Sequence, residues 1–339
     1  MAGGSKVAVY TAITANAVVT VAKFAGFAMT GSGSMLSEGV HSLADVGNQG
    51  LLALGMARAS KVADAAHPQG YAREAFVWSL VSAVGMFFLG CGVSVTHGIQ
   101  SLLSPHGHGH EHASGTELNL AILVFALVVE GIALAVALRG QAAEARRHEQ
   151  GLFEYLKTTD DPFGVAVILE DGAAVLGVLM ALVAVGLTHL TGSPYWDPLG
   201  SIAIGLLLGG VAFFLIAKNR ALLIGRAIRE ADQQALEALL EADPAIDQVV
   251  LQRAVVVGTS SYRISAELQF DGDYLAEQWL KEHDLEALHA ELDSPDKLHT
   301  FLVTYGETVI ERVGDEVDRL EDRIREVLPK ADNIALEPD

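Results

Sequence analysis

Lys23, His41, Asp45, Glu130, Glu170 and Asp171 are ionisable side chains that stand inside apolar runs of this 339-residue chain. In SEGVHSLADVGNQ, residues 37–49, His41 and Asp45 are four residues apart, so on a helix they share one face. VILEDGAAVLGV, residues 167–178, carries Glu170 and Asp171 side by side. An imidazole nitrogen and two or three carboxylate oxygens converging in a dry cavity make a site for a hard-to-borderline divalent cation. Zn²⁺ suits such N/O donors, with Fe²⁺, Co²⁺ and Mn²⁺ as competitors, and the lack of a thiolate argues against copper(I). Metal binding requires deprotonated ligands and so releases protons. A site of this kind can exchange one for the other.

The surrounding elements must be membrane helices. The chain is 51% hydrophobic with mean hydropathy +0.35, too apolar for an ordinary soluble protein of this length. A bilayer-spanning helix needs about 20 mostly apolar residues. Six stretches qualify: 7–29, 36–56, 75–103, 118–138, 163–190 and 199–217. Within a span each charged group costs at least about 2.5–3.5 kcal/mol, which makes the buried charges candidates for function. The first stretch follows a short flank with a single lysine and no cleavage site, and is expected to stay as an anchor.

Basic residues set the orientation. Arg58, Lys61 and Arg73 lie between the second and third spans, and Arg139, Arg146, Arg147 and Lys157 between the fourth and fifth. Lys218, Arg220 and Arg226 follow the sixth, while the alternate loops hold no Lys or Arg. Both termini are therefore expected on the cytoplasmic side. Asp45 then lies about nine residues from the outer end of its span, and Asp171 about eight from the inner end of its own. Both come to a depth of roughly 12–14 Å in a layer about 30 Å thick. They meet near the midplane from opposite directions.

The net charge of −20 is concentrated in residues 221–339, which hold 27 acidic and 11 basic residues, leaving residues 1–220 at −4. That balance excludes a nucleic-acid binder. The single cysteine, Cys91, excludes an internal disulfide framework. The tail reads as α–β–β–α–β: a helix over 231–241, strands over 246–257 and 262–270, a partly helical polar insertion over about 271–305, a helix carrying Val309 to Val327, and a last strand over 333–336. The alternation of Tyr262, Ile264, Ala266 and Leu268 with polar residues predicts one buried face.

These features together resemble the cation diffusion facilitator family, most closely its zinc transporter nine branch. The resemblance is carried by HSLADVGNQGLLALG (41–55), HPQGYAREA (67–75), VILEDGAAVLGV (167–178), LLIGR (222–226), GDEVDRLE (314–321) and the insertion around Ser294-Pro295-Asp296. It implies a homodimeric secondary transporter, not an enzyme, exporting zinc or a similar ion from the cytosol by proton exchange, with a ferredoxin-like cytoplasmic domain from residue 221. It also implies that His41, Asp45 and Asp171 bind the metal. The chain departs from the family at Val167, where most members have His or Asp. Glu170 is the available substitute, about 60° around the helix from Val167, and water is the alternative. A transporter preferring Mn, Fe or Co, a metal-binding membrane scaffold without transport and an intramembrane hydrolase are the competing readings. The last lacks an H-E-x-x-H helix.

Other signals carry less. His106, His108, His110 and His112 form a metal-binding composition on the expected outer side, read as a flexible linker. Glu130 belongs either to the ion path or to a pair with Lys23. His67 is expected at a helix junction and Cys91 in the core. His283, His289 and His299 lie among carboxylates in the tail insertion, and the last strand has no histidine ligand for a metal-sensing site. With no presequence apparent, a bacterial plasma membrane is the expected location.

Overall fold

A computed structural model describes residues 3–30, 33–103, 116–193 and 195–339, with side chains described from Lys6 in the first helix and from Ser42 in the second. The chain divides into two compact units, Met1–Ile224 and Gly225–Asp339.

The first unit is helical. Its long elements are α1 (Gly3–Thr30), α2 (Gly33–Ala59), α5 (Thr116–Arg147), α7 (Pro162–Thr191) and α8 (Trp196–Ile224). A further long element is broken into α3 (Glu74–Gly85), a π-helical segment (Met86–Gly92) and α4 (Val93–Leu103). At 1.5 Å per residue each of these six exceeds the hydrocarbon thickness. Among the described residues five stretches are both long and apolar enough to cross a membrane: Lys6–Met29, Glu74–Leu103, Ala121–Arg147, Pro162–Ala184 and Pro198–Ile224. The stretch in α2 is not among them, since Ser42, Asp45, Asn48 and Gln49 dilute its apolarity.

Packing places α2 and α7 around a shared interior. α1 contacts α2, α5 and α7, α3 bridges α2 and α8, and α7 lies along α8. The α4–α8 contact depends on small residues that let backbones approach. A β-carbon at Gly98 would stand 2.6 Å from Ile202 Cγ1, and one at Gly205 would stand 2.7 Å from Val95 Cγ2. At the start of α7, Asp161 Oδ1 accepts from the backbone N–H groups of Phe163 (3.1 Å) and Gly164 (3.2 Å), and Pro162 occupies the first turn, where its missing N–H costs nothing. The short helix α6 (Leu152–Thr158) is held by Lys218, whose Nζ donates to the carbonyl oxygens of Leu156 (2.7 Å) and Lys157 (3.3 Å).

The second unit runs α9 (Glu230–Glu241), β1 (Ile246–Gly258), β2 (Ser261–Phe270), α10 (Gly272–Lys281), α11 (Leu285–Glu291), α12 (Pro295–Val327) and β3 (Ala331–Pro338). The sheet order is β1-β2-β3, with β1 antiparallel and β3 parallel to β2. A parallel neighbour requires a long crossover, which α10 to α12 supply. The buried face of β2 is the one its alternation predicts: Tyr262, Ile264, Ala266 and Leu268 are buried, together with Leu236 and Leu240 of α9 and Leu320 and Ile324 of α12. The polar insertion is more helical than its composition suggests, because Ser294 caps α12 by accepting from Lys297 N and Pro295 opens the helix. Trp279 of α10 then packs on Phe301 and Tyr305 of α12, and His283 stacks on Trp279 with centroids 3.9 Å apart.

Candidate metal centre

A cavity of about 370 Å³ opens among the helices of the first unit, and Asp45, Asn48 and Gln49 of α2 line it together with Glu170 and Asp171 of α7. The charges interact across this space: Asp45 lies within electrostatic reach of both Glu170 and Asp171, and Glu130 of α5 within reach of Asp171. Asp171 is 6% exposed, and its Oδ2 is buried with no hydrogen-bond partner among the described residues. The His41 side chain falls outside the described residues, so only its place on α2, one turn before Asp45, is given. The loop holding His106, His108, His110 and His112 also lies outside them. Among the described residues no three His, Cys, Asp or Glu side chains form a metal-holding group by themselves.

Glu170 is differently placed from Asp171. Its Oε2 accepts from Gln49 Nε2 at 2.8 Å, its Oε1 accepts from Ser82 Oγ of α3 at 3.4 Å, and the Asn48 side chain also hydrogen-bonds to it. Ser82 Oγ is shared with Asn48 Oδ1 at 2.7 Å. One carboxylate thus ties α2, α3 and α7 together at the cavity wall. Val167 is fully buried in the core and brings no donor.

Sequence reasoning restricted to ionisable groups missed Asn48, Gln49 and Ser82. A signal for Gln49 was present, since it continues the spacing of His41 and Asp45 by four residues. Of the other described candidates, Lys23, Glu130, His67 and Cys91 do not line the cavity. Lys23 is buried and donates to Ser42 Oγ at 2.8 Å. His67 sits in the connection from α2 to α3, its ring 4.3 Å from that of Tyr71. Tyr71 donates to Asp64 Oδ2 at 2.7 Å. That bond, with the His67 backbone N–H, holds the Asp64 carboxyl below its ordinary range. Cys91 is a half-buried free thiol in the π-helical segment.

Residues 9–224 match the cation efflux transmembrane domain. The chain belongs to the cation diffusion facilitator, or cation efflux, family. It is 38% identical over 332 residues to the human (Homo sapiens) proton-coupled zinc antiporter SLC30A9, mitochondrial, covering 97% of this chain and 58% of that protein. It is 36% identical over 339 residues to metal tolerance protein C4 of Arabidopsis thaliana, covering 98% of this chain and 73% of that protein. A magnetosome protein, MamM, of Paramagnetospirillum magneticum is 28% identical over 253 residues, 74% of this chain and 72% of that protein. The chain spans 58% of the length of the human SLC30A9 protein.

These relatives overturn the expectation of a bacterial plasma membrane. The SLC30A9 proteins of Homo sapiens and Xenopus laevis and metal tolerance protein C4 of Arabidopsis thaliana, 36–38% identical over nearly the whole chain, are eukaryotic, and the SLC30A9 proteins are named as mitochondrial. The expectation failed because it leaned on the first residues, whereas this cation efflux protein matches only part of the length of such relatives.

Proposed function

We propose that this protein moves divalent metal cations, zinc foremost, out of the compartment that holds its acidic tail, in exchange for protons, through one site between α2 and α7 near the midplane of an organellar membrane. In this reading α2 is a sixth span, both termini lie on the side of the basic loops, and the transporter is a homodimer with a ferredoxin-like tail. The observation that carries it is the cavity onto which Asp45, Glu170 and Asp171 converge from two helices, with one Asp171 oxygen left without a hydrogen bond among the described residues. His41, Asp45 and Asp171 are the assigned ligands. Glu170 belongs to the same wall.

The chemistry follows from the charges. Several carboxylates in a dry cavity repel one another unless a cation or protons neutralise them. A divalent ion arriving from one side displaces protons, and protons arriving from the other displace the ion. Names support the same reading: SLC30A9 proteins are called proton-coupled zinc antiporters.

In sealed proteoliposomes the wild type is expected to carry Zn²⁺ against a pH gradient. Asp45→Ala and Asp171→Ala should each reduce flux to the level of empty vesicles. Full flux in both variants would falsify the site.

A further inference from the structure

We propose that Gln49 is a further ligand of the transported cation, its amide oxygen filling the place that Val167 leaves without a donor, and that Glu170 is the positioning residue that aims it. This rests on the cation-transport reading above.

Gln49 lies one turn beyond Asp45 and two beyond His41 on α2. Four residues advance a helix by about 400°, so these three side chains start within about 80° of one another. Gln49 is 1% exposed and lines the cavity. Its Nε2 donates to Glu170 Oε2 at 2.8 Å. With the nitrogen end of the amide donating to Glu170, the oxygen end faces away from it. That oxygen, Oε1, is buried and has no hydrogen-bond partner among the described residues. Leaving such a group unsatisfied is unfavourable, a cost that a bound ligand removes. Asp171 Oδ2, from α7, is in the same condition on the same cavity. Two buried oxygens on one cavity, neither with a hydrogen-bond partner among the described residues, fit a cation.

Glu170 lacks this character. Both of its oxygens already accept hydrogen bonds, from Gln49 and from Ser82. Its link to Gln49 fixes the direction of the amide, as an outer partner fixes a ligating side chain in a metal site. The donor set becomes one imidazole nitrogen, carboxylate oxygens of Asp45 and Asp171, and one neutral amide oxygen. Oxygen-rich donors of this kind accept Zn²⁺ and tolerate harder ions such as Mn²⁺. The amide adds a donor without adding a proton to the exchange.

The test is Zn²⁺ affinity of the full chain in detergent, measured by chelator competition, with Co²⁺ X-ray absorption as a count of oxygen neighbours. Gln49→Leu should weaken binding by about 10–100-fold and remove one oxygen neighbour. Gln49→Asn, too short to reach both Glu170 and the ion, should do the same while keeping the site polar and the fold intact. Glu170→Leu should match Gln49→Leu, and the double variant should be no worse than either. Glu170→Gln, which still accepts from the Gln49 amide, should lose less than Gln49→Leu. The reverse order, with Glu170→Gln weakened as far as Asp171→Asn and both Gln49 variants unchanged, would make Glu170 the ligand and overturn the inference. If Asp45→Ala and Asp171→Ala also bind Zn²⁺ like the wild type, the transport site itself is wrong.

Discussion

Asp243 shows how a single carboxylate holds the tail together. Its side chain is buried and receives Arg319 Nη2 at 2.7 Å and Nη1 at 3.0 Å, with Arg323 bonded to the same group. Burial by itself would raise its pKa. The Arg319 hydrogen bonds, the Ala245 N–H and the two guanidinium charges outweigh burial and hold the carboxyl below its ordinary range. A depressed carboxyl stabilises the fold above its unfolded value of about 4 and loses that contribution as pH falls through its folded value. Asp243→Asn is therefore expected to cost about 2 kcal/mol at neutral pH. The gap from wild type should close as the pH drops below about 4, read from hydrogen exchange in β2. A gap independent of pH would contradict the ionic account. In the membrane unit, the presence of Asp45, Glu170 and Asp171, which line the cavity, was legible because a charge in an apolar run is an anomaly on composition alone. Gln49 raised no such anomaly, being a neutral amide; only its four-residue spacing from Asp45 marked it. Nor could spacing reveal that Ser82 of another helix occupies an oxygen of Glu170.

Among elements, α4 and α8 form a contact that tolerates little change. Gly98 has Ile202 Cγ1 and the Pro198 carbonyl oxygen within 2.8 Å of where a β-carbon would stand, and both belong to one helix. Gly98→Val is expected to destabilise the membrane unit by about 1–3 kcal/mol, visible as a lower unfolding temperature in detergent. Gly131, which has open space around it, should accept alanine with little change. Similar losses at both positions would refute the packing argument. The period-2 pattern of β2 was readable because one face meets the core and the other does not. The start of α12 was hidden inside the polar insertion, where its first turns rest on α10 through Trp279 rather than on the sheet. The π-helical segment had no sequence signature. Its break lies where Met86 and Gly90 line the cavity, a place where such segments recur near functional sites.

For the whole molecule, the proposed topology rests on the basic loops. If α2 is a sixth span, Lys61 and Arg147 are expected on the same side as the tail. The chain has one cysteine, so single cysteines at Lys61, Arg147 and Asp339 in a Cys91→Ser background can be labelled from either face of sealed vesicles. All three should react from the same side. A split between Lys61 and Asp339 would rule out the six-span arrangement. Location was beyond the reach of composition, because hydropathy states that a segment crosses a membrane without naming which membrane.

Zinc flux through purified protein in sealed proteoliposomes, driven by a pH gradient and compared among wild type, Asp45→Ala and Asp171→Ala, tests the central claim most directly. The account predicts proton-linked Zn²⁺ movement in the wild type and background flux in both variants. Equal flux in all three, or zinc movement in the wild type indifferent to the pH gradient, would contradict it.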